Sequence, residues 1–110
     1  MDVRHIALMV CNCWESRQVL RLIVDGVVIV VEPDGSGLGI ELPVGTDLSS
    51  FPDLQKRQGG DGDINVMMQT ENDSFAEYLF INGNVRIDGN DHVSQWIMVD
   101  ANKVSAAIPN

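Results

Sequence analysis

The sequence predicts an all-β protein: a mainly antiparallel sandwich or small barrel of about nine short strands, with one short helix near 50–58. Three observations carry this expectation. Short apolar runs with period-two alternation recur along the chain. Gly, Asn and Asp turn residues separate them at intervals typical of antiparallel sheets. The composition, 45% hydrophobic and 21% charged over 110 residues, suits one domain with a buried core.

In chain order, the first apolar run, "HIALMVCNCWE", reads as a strand over His5 to Cys11. A competing reading starts a helix at Asn12, with Asn12-x-x-Glu15 as a capping box leading into "CWESRQVLRL". The clearest unit follows. In "VLRLIVDGVVIVVE", Asp25-Gly26 supplies the two positive-φ positions of a type I′ turn between strands at 19–24 and 27–32. Gly39 to Leu42 reads as a further strand. In "SSFPDLQKRQGG", Ser50 can cap a short helix, Pro52 suits its first turn, Lys56 and Arg57 its last, and Gly59 its end. Ile64 to Thr70 alternates as a strand. "AEYLFINGNVRID" reads as a second hairpin turning at Asn82 to Asn84, and "QWIMVDANKVSAAI" as a third turning at Asp100 to Asn102.

Two strands are apolar on both faces. Val27, Ile29 and Val31 point one way and Val28 and Val30 the other, while Leu79 and Ile81 oppose Tyr78 and Phe80. One face of each meets the core. The other needs the short helix, the 43–62 loop or a second copy of the chain. Because large exposed apolar patches are uncommon on monomers, a homodimer is expected through Val28, Val30, Tyr78 and Phe80.

Charge narrows the function classes. Sixteen Asp and Glu against seven Lys and Arg give a net charge of −9, which repels phosphate backbones and anionic headgroups. Direct nucleic-acid binding and membrane association are therefore not expected, and no apolar stretch reaches the roughly 20 residues that cross a bilayer. The N-terminus lacks a signal-peptide pattern, so a cytoplasmic location is the expectation.

The Cys11-x-Cys13 pair has the wrong spacing for common structural zinc sites and supplies too few ligands even with His5. Both thiols are expected to be buried, reduced and unmetallated. "EPDGSGLGIE" and "GGDGDIN" look like calcium loops but miss the EF-hand positions, and they read as solvated turns. No metal or cofactor is expected.

Nucleophile elbows, zinc-protease helices, phosphate loops and dinucleotide fingerprints are all missing from the sequence, and His5 and His92 read as surface or sheet-edge residues. The expectation leans away from an enzyme. It favours a small acidic interaction protein, inhibitor- or immunity-like, that recognises a basic protein partner. The contact region is placed in the acidic stretch from Asp47 to Asp73, with Asp61, Asp63 and Asp73 as its principal residues. The alternative is a small-molecule or sugar-binding β module with Trp14 and Trp96 as stacking residues.

Overall fold

A computed structural model of the chain describes residues 1–35, 37–70, 77–90 and 95–110. Eight strands in these residues form two four-stranded sheets, with one main helix packed against them and no closed barrel. The mainly β, mainly antiparallel expectation holds.

The first correction is at the N-terminus. Residues 5–11 are not a strand but part of the helix α1, Val3–Glu15. Val3, Ile6, Ala7, Val10, Cys11 and Trp14 recur at three- and four-residue steps, so one helical stripe buries all of them. Asp2 starts the helix: its side chain accepts from the Arg4 N–H at 2.7 Å. Asn12 does not cap a following helix. It lies in the last turn of α1, where its carbonyl accepts from the Ser16 N–H at 3.0 Å and the Ser16 hydroxyl at 2.8 Å.

The first sheet has the order β6-β2-β1-β8, where β1 is Leu20–Val24, β2 Val27–Glu32, β6 Asn84–Ile87 and β8 Val104–Pro109. The β1–β2 hairpin matches its predicted turn: Asp25 and Gly26 have φ of 51° and 80°, the left-handed pair a type I′ turn requires. The second sheet has the order β4-β3-β5-β7, where β3 is Leu38–Leu42, β4 Ile64–Met68, β5 Tyr78–Asn82 and β7 Ile97–Asp100. Strands β3 and β4 are parallel, which demands a long crossover. Residues 43–63 provide it and carry the short helix α2, Pro52–Gln55, within the predicted 50–58 segment. Phe51, not Ser50, occupies its N-cap and makes no side-chain capping bond.

The other two predicted hairpins are corners between sheets. Strand β5 belongs to the second sheet and β6 to the first, joined through Gly83 alone. A Cβ at Gly83 would lie 3.4 Å from Leu38 Cδ1 and 3.5 Å from the Gly37 carbonyl, so the corner closes tightly. Strands β7 and β8 likewise part into different sheets across a 3-10 turn at Ala101–Lys103, where the Asp100 side chain accepts from the Asn102 N–H at 3.0 Å. In strand order the chain changes sheet four times, two of them at these corners, and the inner faces of both sheets converge on one core.

Helix α1 packs against β2, β3 and β5, covering both inner faces. Leu20, Leu22, Ile29, Val31 and Val85 from the first sheet and Leu38, Ile40, Leu42, Leu79, Ile81 and Val99 from the second share one core with it. Helix α2 packs on α1 and buries Leu54, so it does not cover an outer sheet face.

Candidate interaction surfaces

Register fixes what each outer face presents. On the first sheet, Arg21 lies between Val30 of β2 and Ile108 of β8, and Ile23 lies between Val28 and Ala106. Beyond Val30 comes Arg86, whose guanidinium is paired with Glu32. The predicted interface residues Val28 and Val30 thus lie on one outer surface, half-buried by their neighbours, beside exposed Ile108. Arg21 is exposed at its centre and forms no ion pair among the described residues.

The outer face of the second sheet has the opposite charge. One row across it reads Met67, Glu41, Phe80, Met98. Tyr78 lies beyond it, opposite Asp100. The Trp96 ring covers Gly39: a Cβ there would fall 2.7 Å from Trp96 Cη2 and 3.4 Å from two further ring atoms. The missing Cβ of Gly39 is what lets the rim of the indole approach the strand this closely. Trp96 remains 39% exposed and Met98 56%, a composition found in the cores of protein interfaces. Glu41, half-buried among these side chains, has no cationic partner among the described residues.

Tyr78 and Phe80 therefore lie on a different outer face from Val28 and Val30, and the four predicted interface residues form two surfaces.

The acidic loop is a hydrogen-bonded platform. After α2, the Gly60 N–H donates to the Arg57 carbonyl at 3.0 Å, the Val66 N–H donates to the same carbonyl at 3.0 Å, and the Asp61 N–H donates to Ile64 at 2.8 Å. Gly59, Gly60 and Gly62 all have positive φ, which allows these reversals in so few residues. Arg57 anchors the platform from below: it is 5% exposed, pairs with Glu15 of α1, and reaches the Asp61 carboxylate at 3.8 Å. Asp53, Asp61 and Asp63 are exposed around it. Asp73 and His92 lie outside the described residues.

The two tryptophans do not share a surface. Trp14 is buried in the core, with the Arg17 guanidinium 5.9 Å from its ring centroid, whereas Trp96 lies outside the second sheet. Cys11 and Cys13 are buried free thiols on α1. Burial pushes the Cys11 thiol up to about 12, with the nearby Arg57 charge opposing it weakly, and burial also raises Cys13. Both are disfavoured as thiolate nucleophiles. His5 is a surface residue, on α1 and not at a sheet edge, and meets Phe51 edge-on at 5.0 Å. Beside it runs an apolar groove of about 330 Å³ lined by Leu8, Met9, Asn12, Cys13, Gln18 and Pro109.

Among the described residues, no group of three or more His, Cys, Asp or Glu is placed to hold a metal ion, and no helix is long and apolar enough to cross a membrane. No family model, curated protein or solved structure matches the chain.

Arg21 and Glu41 were not singled out from sequence as functional residues. The available signal was a lone charge on the outward alternation of an otherwise apolar strand. Its meaning depends on cross-strand neighbours that only the register supplies.

Proposed function

We propose that the chain is a self-associating interaction protein that recognises a basic protein partner through its acidic surface. Self-association is carried by the outer face of the second sheet, where exposed Trp96 and Met98 lie with Phe80 and Met67 around half-buried Glu41. Aromatic and methionine side chains supply contact area, and a desolvated carboxylate supplies selectivity for a cation. Recognition of the basic partner is assigned to the platform of Asp61 and Asp63, with Asp73 outside the described residues, and backbone hydrogen bonds hold the segment that carries Asp61 and Asp63 before a partner arrives. A preformed loop lowers the ordering cost of binding.

Capture of partners from host lysate on the immobilised full chain, at low and at high salt, tests recognition. A basic protein should be retained at low salt and released as salt rises, because the Debye length shrinks from about 10 Å at 0.1 M to about 3 Å at 1 M. The Asp61→Asn/Asp63→Asn variant should retain less of it, while Arg57 keeps its bond to Glu15 and the fold is maintained. Retention that is indifferent to both salt and substitution would refute the acidic contact. The groove beside His5 favours a second reading, a binding module for a small apolar ligand; saturable binding of a fluorescent apolar probe to the wild type that is lost in the Leu8→Trp variant would support that reading.

A further inference from the structure

The two outer faces are complementary to each other. One presents Arg21, which has no ion pair among the described residues, amid Ile23, Val28, Val30 and Ile108; the other presents Glu41, likewise without an ion pair among the described residues, amid Met67, Phe80, Met98 and Trp96. The remaining charges do not alter this match. Arg86 on the first face is neutralised by Glu32, and Asp100 on the second adds to the negative side. We infer that the occupant of each face is the other face of a second copy, with the sheet β6-β2-β1-β8 of one molecule docked on the sheet β4-β3-β5-β7 of the next and Arg21 seated against Glu41.

This rests on the self-association proposed above and specifies its geometry. A two-fold contact of the first face with itself would set Arg21 near Arg21, and one of the second face would set Glu41 near Glu41; like charges brought together in an apolar contact oppose binding. Docking unlike faces removes both conflicts. The available surface is small: four strands about 4.8 Å apart and about five residues long at about 3.3 Å per residue make a sheet face of roughly 300 Å² before side-chain relief is added, below the area of standard stable interfaces. Weak, concentration-dependent association is the expectation. Since the contact is heterologous, each copy keeps one face open after the first docking, and growth continues into a ring or a chain.

Sedimentation of the full chain over a range of concentrations tests this, with far-UV circular dichroism to confirm folding. The wild type should pass beyond twice its 12.1 kDa mass as concentration rises. Arg21→Glu and Glu41→Arg should each weaken association by about tenfold or more. The double variant should recover it, and so should an equimolar mixture of the two single variants, because each then presents the face the other needs. Should a reversal fail to fold, Arg21→Gln and Glu41→Gln take its place and should weaken association in the same direction. A wild type that remains a monomer throughout overturns both the docking and the self-association. Association that stops at the dimer, or that the reversals leave unchanged, or that neither the double variant nor the mixture restores, overturns the heterologous docking alone. Recognition of a basic partner is read separately, by the Asp61 and Asp63 variant in the capture experiment.

Discussion

Gly39→Ala isolates one contact on the outer face of the second sheet. The backbone of Gly39 is outside the left-handed region, so alanine meets no conformational penalty there. Taken alone, the substitution would stabilise a strand by about 0.5–1 kcal/mol. The new methyl, however, falls 2.7 Å from Trp96 Cη2, closer than packed carbon atoms approach, and the ring must move away. An aromatic side chain typically buries 150–250 Å²; at 39% exposure Trp96 buries roughly 150 Å². Losing about half of that contact costs roughly 2 kcal/mol at 25 cal/mol per Å². The clash therefore outweighs the backbone gain, and a net destabilisation of about 1 kcal/mol is expected, a fall of roughly 0.5 M in the urea midpoint. Trp96 emission should shift to the red and become more accessible to acrylamide, while buried Trp14 stays shielded. In a Trp96→Ala background the sign should reverse, and Gly39→Ala should be neutral or stabilising. Destabilisation of equal size in both backgrounds would refute the placement of the indole over Gly39.

Three further outcomes follow from local chemistry. Asp2→Ala should destabilise the fold by about 1 kcal/mol in thermal or urea unfolding, because it removes the α1 cap. The Arg4 side chain hydrogen-bonded to Asp2 holds its carboxyl below the ordinary 3.8, so this stabilisation is complete above that pH and is lost as acid carries the pH below it; the mutant should lack that component of acid sensitivity. Burial raises the Cys11 thiol from 9.0 to about 12, so stability should be unaffected below pH 9 and decline between 9 and 12 as the unfolded chain ionises first; Cys11→Ala should flatten that alkaline limb, and native Cys11 should resist iodoacetamide until the protein unfolds. Arg57→Ala should cost about 1–3 kcal/mol, since it removes the cation that joins Glu15 to the Asp61 loop, and faster amide exchange at Gly60 and Asp61 should report loosening of the platform.

Sequence legibility followed the range of the interaction involved. The β1–β2 hairpin was readable because Asp25-Gly26 fixes its geometry within the turn itself. Gly83 and residues 101–103 carry equally strong turn chemistry, yet they redirect the chain into another sheet. Local turn propensity does not state which strand pairs across it; burial of Leu79 and Ile81 with β3 and of Val85 with β2 decides that. Residues 5–11 misled for a different reason. Ile6, Leu8 and Val10 alternate like a strand, while Ile6, Ala7, Val10, Cys11 and Trp14 follow a helix, and only the longer window from Asp2 to Trp14 favours the second period.

The outer faces show the same limit at the level of function. Alternation correctly put Val28 and Val30 on one side of their strand and Tyr78 and Phe80 on one side of theirs, but it could not assign these strands to different sheets. Once they are separated, a single two-fold contact among the four residues loses its geometric basis, and the lone charges gain significance. An arginine within "LRLIV" and a glutamate within "LGIEL" look like ordinary solvated positions along the chain. Cross-strand pairing surrounds each with apolar neighbours, and the folded chain then displays two faces of opposite sign that cannot reach one another within one molecule. Burying either face against a neutral surface would leave an unpaired charge in the contact, at a cost of several kcal/mol. A partner that brings the opposite charge removes that cost, so charge reversal at Arg21 and Glu41 discriminates between partners more sharply than truncation of the apolar side chains around them.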